Sequence, residues 1–303
     1  MKAVSLACEQ GRISAAHGRI PIAGAAVSRS SDGELKVRTV GCNGRIPLAE
    51  SQDLGYPTDH GETGALRPIK DFSSVDWGNT VFATTLSPCI MCTRTIEKLY
   101  HCGLCSLVIA ESESFQGAES RLDALPGLTI VRLTERATVE RMQRFARQYP
   151  WDWAADIGEI PPREDFRRLI LQRAQEEGHL WWEALKAGEA SVVCPGQKEP
   201  LSHAVDNRTA SGGNPCHAAV VSAMGKAGSS VNLRECAVVW KSSVERTLEA
   251  FGETSVGACE LFKPAVLVTQ GPIEACLSEP LRAVGVEIID ISLVKSGGGG
   301  RSR

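Results

Sequence analysis

Three residues in two short strings of the chain have the types and spacing of zinc ligands. They are His60 in the string His-Gly-Glu, and Cys89 and Cys92 in the string Pro-Cys-Ile-Met-Cys. One imidazole and two thiolates suit a tetrahedral Zn²⁺ with water in the fourth position. Structural zinc sites usually have four protein ligands, so a three-ligand site with the carboxylate of Glu62 two residues from the histidine indicates catalysis.

Glu62 has the chemistry of a proton carrier beside such a metal. Zinc lowers the pKa of a bound water toward neutrality. A ring carbon that bears an exocyclic amine is a poor electrophile until a ring nitrogen is protonated. Glu62 could take the proton from water, protonate that nitrogen and then deliver a proton to the departing ammonia. The pattern H-x-E followed by P-C-x-x-C is typical of zinc deaminases, in which the glutamate is not a ligand.

The pair Cys89 and Cys92 has other interpretations when it is taken alone. A single C-x-x-C string could be half of a closed zinc knuckle or a redox pair. Pro88 at the entrance of a helix places both thiols in its first turn, where the helix N-terminus lowers their pKa values. Together with the upstream His-x-Glu string, this context favours a catalytic site. A second C-x-x-C string, Cys102 and Cys105, flanks an apolar strand and is interpreted as packing.

Composition limits the class of protein. A chain of 303 residues with 43% hydrophobic content can bury a sizeable core, and its length predicts two domains. The net charge of −3 offers no electrostatic footprint for a long nucleic-acid duplex, so a nucleic-acid partner is not expected. Without an apolar run of membrane length or a signal pattern, we expect a soluble cytoplasmic protein, with nuclear access left open and no membrane partner. Eleven cysteines in such a chain are expected to be mostly free thiols.

Helical and strand patterns alternate along the chain, which predicts an α/β sandwich with helices on both faces of a sheet. The prolines at 161 and 162 predict a boundary between a catalytic domain at 1–160 and a second domain at 161–295. The glycine-rich end at 296–303 is predicted to be a disordered tail. In the first half, helices are predicted at 2–16, from His60, at 89–100 and at 135–148, and strands at 20–28, 36–40, 81–86, 106–110 and 128–133. In the second half, a long helix is predicted at 163–186 and strands at 236–240, 265–269 and 286–291.

The first half resembles the yeast-type, fungal cytosine deaminases of the zinc cytidine and deoxycytidylate deaminase superfamily, over residues 5–159. The resemblance rests on Ile-Pro-Ile-Ala-Gly at 20–24, Gly-Cys-Asn at 41–43, the two metal strings, Thr-Thr-Leu-Ser before Pro88, and Asp-Trp-Ala-Ala-Asp-Ile-Gly-Glu at 152–159. It implies the three-layer α/β/α fold of that superfamily, a Zn²⁺ cofactor and the conversion of cytosine to uracil with release of ammonia. It also implies a place in pyrimidine salvage and dimers formed through the helices around the active site.

The resemblance further implies a substrate pocket with seven residues of the first half, namely Asn43, Gly61, Ser87, Phe115, Trp153, Asp156 and Ile157. Asn43 would hydrogen-bond the pyrimidine carbonyl, and Asp156 with the backbone carbonyl of Ser87 would hold the amine. The two aromatic side chains would wall the ring, and Ile157 would close the mouth. Without the resemblance, the two aromatic residues would be interpreted as ordinary core.

The second half is interpreted as a degenerate copy of the same fold. The string Asn-Pro-Cys-His-Ala-Ala at 214–219 is placed where the His-x-Glu helix would start, with Ala219 in place of the glutamate. Gly-Pro-Ile-Glu-Ala-Cys at 271–276 is placed at the Pro-Cys-x-x-Cys position, with Ile273 in place of the first cysteine. His217 and Cys276 alone would hold zinc weakly, so this site is expected to be non-catalytic. An unrelated α/β domain with chance matches is the alternative.

Two further functions compete with deamination of a small base. The second half is loosely similar to the inactive partner subunit of eukaryotic tRNA adenosine deaminases, so the chain could act on tRNA or a nucleoside with that half assisting binding. The loop at 43–59 is longer than the family's, which could widen the pocket mouth. A non-enzymatic binding protein is the third interpretation, and the intact Glu62 argues against it. As an extension of the first hypothesis, the second half would replace a homodimer partner, giving an intramolecular pseudo-dimer.

Overall fold

The first sheet is built from the N-terminal half of the chain. A computed structural model describes residues 1–47, 55–242, 251–271 and 273–294. The first five strands are β1 Ala23–Arg29, β2 Leu35–Cys42, β3 Thr80–Thr84, β4 Ser106–Ile109 and β5 Thr129–Arg132. They pair in the order β2-β1-β3-β4-β5. β1 is antiparallel to both of its neighbours, whereas β3, β4 and β5 run parallel. Parallel pairs need crossover connections, and helices supply them.

Helices cover both faces of this sheet, because its central strands are apolar on both sides. The helices are α1 Lys2–Ala16, α2 Gly61–Leu66, α3 Ile90–His101, α4 Glu119–Asp123, α5 Arg136–Gln148 and α6 Pro150–Asp156. On one face, Val4 and Ala7 of α1 pack with Ala25 and Val27 of β1. On the other face, Leu66 of α2 and the apolar side of α3 pack on strand residues that point the opposite way, such as Ala26 of β1. The sheet is therefore the middle of three layers.

The second sheet repeats this topology. Its elements are α7 Glu164–Glu183, β6 Glu189–Val193, β7 Ser202–Val205, α8 Ala219–Lys226, β8 Ala237–Lys241, α9 Glu253–Phe262, β9 Val266–Thr269, α10 Ala275–Ala283, β10 Glu287–Asp290 and α11 Ile291–Val294. The strand order β7-β6-β8-β9-β10 matches that of the first sheet, strand for strand. The directions also match, with antiparallel pairs on both sides of β6 and parallel pairs after β8. The fold is therefore duplicated, as the sequence predicted.

The two halves contact each other through equivalent helices, α3 and α9, each of which connects the third strand of its sheet to the fourth. We call β1–β5 with α1–α6 the first module, and β6–β10 with α7–α11 the second module. A Cβ on Gly257 of α9 would lie 2.7 Å from the Cα of Met91, so glycine is what permits the close approach of the two helices. Beside this contact, Arg94 forms ion pairs with Glu253, at 2.8 Å, and with Glu260.

The predicted helices and strands are confirmed, with ends shifted by one to three residues. β6 and β7 were not predicted from the sequence, and they complete the second sheet. The predicted tail at 296–303 and part of the predicted polar loop, residues 48–54, lie outside the described residues. None of the helices in the described ranges is long and apolar enough to cross a membrane.

Candidate metal centre

His60 and Glu62 are positioned by the start of α2. His60 is the N-cap residue, and its backbone N–H donates to Thr63 Oγ1 at 2.8 Å, which fixes the first turn. Glu62 follows in that turn. A Cβ on Gly61 would lie 2.7 Å from the backbone nitrogen of Ala23, so only glycine lets α2 begin directly against β1. The predicted helix start at His60 is confirmed.

The two cysteines are positioned by the start of α3. Cys89 is the N-cap residue of this helix, and Cys92 is its third residue, so both thiols lie at the helix N-terminus. The Cys89 carbonyl accepts a hydrogen bond from the Thr93 N–H at 2.8 Å, and the Pro88 carbonyl accepts one from the Thr93 hydroxyl at 3.2 Å. The position predicted from Pro88 and the C-x-x-C spacing is therefore confirmed.

The two helix starts bring the three predicted ligands together. The ligand atoms of His60, Cys89 and Cys92 all lie within 4.8 Å of one another, and all three residues are buried. Cys89 Sγ lies 3.3 Å from His60 Nδ1. In the described part of the chain, this is the one group of three such residues close enough to hold a metal ion. A set of one nitrogen and two sulfur donors at this spacing fits Zn²⁺, with a ligand position left for water.

The electrostatics of the cluster also favour a bound cation. Burial alone would raise the pKa of the Cys89 thiol, but hydrogen bonding with Cys92 and the nearby His60 lower it well below its usual value. Burial alone would lower the pKa of His60, but Asp156 and the Cys89 thiolate raise it to about 9. Burial and the charge of Cys89 instead raise the pKa values of Cys92, well above its usual value, and of Glu62, so the acidic groups of the cluster oppose one another's ionisation. A divalent ion would compensate their negative charge.

Glu62 lies beside the ligands with a carboxyl group suited to proton transfer. Its Oε1 accepts a hydrogen bond from the Thr84 hydroxyl at 2.8 Å. Burial raises the pKa of Glu62, and the charge of Cys89 raises it further, whereas hydrogen bonds from Cys92 and Thr84 lower it. The net pKa is raised, which brings the carboxyl closer to the range in which it can both accept and release a proton near neutral pH.

A small cavity opens next to Glu62 and the ligands. It is lined by Ile22, His60, Glu62, Leu86, Ser87, Cys89, Phe115, Trp153, Asp156 and Ile157. Five of the seven predicted pocket residues are in this lining. The rings of Phe115 and Trp153 meet edge to face, with centroids 5.3 Å apart, and form one wall. Gly61 and Asn43 are not in the lining.

Asn43 contacts the pocket through Asp156. Its Nδ2 donates to the two carboxylate oxygens of Asp156 at 2.9 and 3.0 Å, and its Oδ1 accepts the backbone N–H of Arg45. Asp156 in turn places an oxygen 3.6 Å from His60 Nε2, which has no hydrogen-bond partner in the described residues. Asn43 therefore fixes the carboxylate that faces the metal ligand.

Sequence reasoning missed two residues that support the site. Thr84, the last residue of β3, holds Glu62, and its place in the matching string Thr-Thr-Leu-Ser was the only signal for it. Phe262, at the end of α9, packs edge-on against the His60 ring with centroids 6.1 Å apart. Nothing in the sequence links a residue of the second module to a ligand of the first.

Of the two strings expected to form the degenerate site, the one at 214–219 ends at the start of α8, the helix equivalent to α2, whereas the expected position of the one at 271–276 is wrong. The segment with Ile273 and Cys276 follows β9 and starts α10, the place that α4 has in the first module. The helix equivalent to α3 is α9. Cys276 is exposed, and Pro272 of the same string lies outside the described residues.

The equivalent helix starts identify what replaces the metal centre. Counted from the first residue of each helix, Ala218 stands at the position of His60, and Val220, not Ala219, at that of Glu62. Gly252 and Ser255 stand at the positions of Cys89 and Cys92. His217 instead donates through Nε2 to the carbonyl of Arg67 at 3.0 Å, so it links the two modules. The packing role expected for Cys102 and Cys105 is also wrong, because both side chains are exposed.

The first half of the chain is similar to known proteins. Residues 1–113 match the family model of the cytidine and deoxycytidylate deaminase zinc-binding region. A cytosine deaminase of Candida albicans is 34% identical over 158 residues, which cover 52% of this chain and 96% of that protein. Among solved structures, a guanine deaminase from Nitrosomonas europaea is 22% identical with a TM-score of 0.35, covering 48% of this chain and 83% of that one. A structure from work on A-to-I editing by tRNA:A34 deaminases is 19% identical with a TM-score of 0.32, covering 43% and 96%.

The sequence match spans nearly the whole fungal relative, and the family model covers the three ligands and Glu62. The chain therefore belongs to the zinc-binding cytidine and deoxycytidylate deaminase family, that of the fungal cytosine deaminase it resembles.

Proposed function

We propose that this protein hydrolyses cytosine to uracil and ammonia in its first module. The observation that carries the proposal is the buried Glu62 carboxyl, which lies beside the three ligands and opens on a small cavity with an aromatic wall. A lining of aromatic side chains with a few directed polar groups suits a small planar base. The 34% identity to a cytosine deaminase supports cytosine as the base.

In the proposed mechanism, Glu62 moves the protons. The chemistry that a bound Zn²⁺ supplies here is a water whose pKa is lowered toward neutrality. Glu62 takes a proton from that water and gives it to the ring nitrogen next to the aminated carbon, which makes that carbon electrophilic. The water oxygen then bonds to that carbon, and Glu62 takes its remaining proton and delivers it to the amine, so that the C–N bond breaks, ammonia leaves and the oxygen becomes the carbonyl of uracil. Thr84 holds the carboxyl in place throughout through its hydrogen bond.

The remaining lining would orient the base. Asp156, fixed by Asn43, and the Ser87 carbonyl would accept hydrogen bonds from the amine. Phe115 and Trp153 would bury the ring, and Ile157 would limit its exit. Direct contacts of Asn43 and Gly61 with the base stay predictions.

We further propose that the second module acts as a built-in, non-catalytic partner. The positions equivalent to His60, Glu62, Cys89 and Cys92 carry no metal ligand or carboxylate. The helix α9 packs on α3, which carries both cysteines, and Cys89, Met91 and Cys92 belong to the same apolar cluster as the core of the second module. We expect the full chain to be monomeric in solution at micromolar concentration, which light scattering would measure. A stable, fully active fragment 1–160 would contradict this proposal.

A substrate panel tests the reaction, with Glu62→Gln as the key variant. Purified protein would be assayed for ammonia release from cytosine, cytidine, isocytosine, guanine, adenine and tRNA. We expect cytosine to be turned over and Glu62→Gln to lose about 10³-fold or more in kcat, since general acid–base catalysis typically contributes 10²–10⁴-fold. Zinc content should stay at the wild-type level in that variant. Val220→Ala, at the equivalent helix position of the second module, is the matched control and should change kcat less than about twofold.

Two results would contradict the proposal. Turnover of cytidine or tRNA without turnover of any free base would favour the nucleoside or tRNA alternative. Undiminished activity of Glu62→Gln would remove Glu62 from the proton transfer.

A further inference from the structure

A second, larger cleft lies on the other side of α6 from the catalytic cavity. Its volume is about 660 Å³, within the usual range for small-molecule sites. Both modules line it, Arg45, Trp151 and Asp152 on one side and Asn232, Arg234 and Phe262 on the other. No lining residue is shared with the catalytic cavity. We call it the module-boundary cleft.

Arg45 is a buried cation in the wall of this cleft without a counter-ion. It is 6% exposed, and its Nη1 has no hydrogen-bond partner in the described residues. Its Nη2 makes one long contact, 3.5 Å to the carbonyl of Ser229. Within the described ranges, no carboxylate lies within ion-pair distance of the guanidinium. A buried guanidinium with unsatisfied donors is costly unless a ligand compensates it.

The other charges of the cleft do not neutralise Arg45. Glu235 is already paired with Arg163, which lies at the rim of the cleft and donates a hydrogen bond to the Glu235 carboxylate at 2.8 Å. Arg234 donates to the carbonyl of Ile160 at 3.2 Å. Asp152 is the remaining lining carboxylate, and it acts on Arg45 from beyond ion-pair distance, as Asp156 does. Among the lining residues that the structure describes, three arginines therefore face two carboxylates, and the uncompensated charge is the buried one.

We propose that the module-boundary cleft is a second ligand site, which binds a phosphate-bearing small molecule through Arg45. A guanidinium binds phosphate oxygens in a bidentate manner, and a phosphate offers both the charge and the several acceptors that this wall lacks. The indole of Trp151, 68% exposed at the rim, gives a ligand larger than phosphate an aromatic surface. The phosphate could be free or part of a nucleotide.

The cleft is linked to the catalytic cavity by a short chain of contacts. The Arg45 backbone N–H donates to Asn43 Oδ1 at 2.9 Å, and Asn43 holds Asp156. The Arg45 guanidinium also lies over the Phe262 ring, 5.9 Å from its centroid, and that ring packs on His60. In each of these two chains of contacts, a single residue separates Arg45 from a residue that lines the catalytic cavity.

Calorimetry on the full-length, zinc-loaded chain tests the site without using turnover, so its outcome is independent of the proposed reaction. The probes are inorganic phosphate and uridine 5′-monophosphate, each titrated with and without saturating uracil. We expect one site per chain with Kd of about 1 mM or lower for at least one probe. Equal affinity for both probes would show that the phosphate group alone accounts for binding. At least tenfold tighter binding of uridine 5′-monophosphate would show that the site recognises a nucleotide.

Two variants assign the binding to Arg45. Arg45→Gln should weaken the probe at least tenfold, whereas Arg163→Gln, at the rim and already paired, should change it less than threefold. Arg45→Lys keeps the positive charge but loses the paired N–H donors of the guanidinium, so its affinity for the probe should lie between those of the wild type and Arg45→Gln. If Arg45→Gln fails to fold, the probe affinity of Arg45→Lys takes its place as the test. In addition, phosphate should raise the melting temperature of the wild-type protein, whereas chloride at the same ionic strength should not.

Three results would overturn the proposal. They are the absence of binding below about 10 mM for both probes, equal binding by wild type and the folded Arg45 variant, and competitive displacement of the probe by uracil. Displacement would place the ligand in the catalytic cavity.

Discussion

The two modules share strand order and strand directions but differ at four helix-start positions. In the first module, the starts of α2 and α3 carry an imidazole, a carboxyl and two thiols, and these converge on one point. In the second module, the starts of α8 and α9 carry small or apolar residues at the equivalent positions. Chemistry in this fold therefore depends on a few side chains at helix N-termini, while the sheet and its layers persist without them.

Helix α9, which has no metal ligand at the positions equivalent to Cys89 and Cys92, packs on the helix that carries them. α9 lies against α3, with Gly257 at the point of closest approach and Phe262 against the ring of His60. A helix that carries no metal can present its surface entirely to a neighbour. The second module therefore contributes to the metal site of the first through packing.

The largest expected effect comes from exchanging residues at the third position of each equivalent helix. Cys92→Ala should abolish stoichiometric zinc binding and lower kcat at least about 10³-fold, because two protein ligands hold a divalent ion poorly. Ser255→Ala, at the same position of α9, should keep one zinc per chain and near wild-type activity. Metal analysis and ammonia release measure both. Zinc retained in Cys92→Ala, or lost in Ser255→Ala, would contradict the claim that this helix position binds the metal in the first module alone.

The next effect concerns the charge pairs between the modules. Arg94→Ala leaves Glu253 and Glu260 without their shared, buried partner, and we expect a loss of about 3–5 kcal/mol in the free energy of unfolding. The exposed pair of Arg12 and Glu9 is the control, and Arg12→Ala should not measurably shift the unfolding curve. Denaturant unfolding gives both values. Equal, small effects would show that the modules do not depend on this contact.

The close approach of α9 to α3 can be tested by adding a side chain. Gly257→Ala puts a Cβ against the backbone at Met91, so the helices must separate, and we expect about 1–3 kcal/mol of destabilisation together with weaker zinc retention. In Gly78→Ala the new Cβ would meet its nearest neighbour at 3.5 Å, an ordinary contact, so this variant should unfold like wild type. Zinc release to a chelator, followed with a metal-binding dye, reports on the metal site. Destabilisation without faster zinc release would separate the packing of α9 from the metal centre.

The smallest expected effect concerns the cavity wall. Trp153→Leu removes an aromatic face while keeping an apolar side chain, and we expect KM for cytosine to rise about tenfold, with kcat changed less than about threefold. Steady-state kinetics measures both constants. A loss confined to kcat would mean that Trp153 positions the reacting groups and does not mainly bind the base.

Much of the first module could be predicted because its signals are local. A proline before C-x-x-C places two thiols in one helical turn, and His-x-Glu at a helix start places an imidazole and a carboxyl together. The alternation of apolar segments predicted the sheet and four of its six helices, and it missed α4 and α6. In the second module, short strings gave misleading alignments, since Ile273 and Cys276 match a pattern that belongs between a different pair of strands.

Spacing within one helical turn was enough to predict the three ligands and the carboxyl beside them, and hydrophobic periodicity was enough to predict the α/β class. The duplication was inferred from two short strings, one of which lies elsewhere in the fold. Three features follow from the tertiary structure alone. Asn43 holds Asp156, Phe262 supports His60, and Arg45 is buried with no counter-ion among the described residues. These contacts join residues that are distant in sequence, up to 202 positions apart for His60 and Phe262. Their geometry depends on how the two sheets pack, and no local pattern encodes that packing.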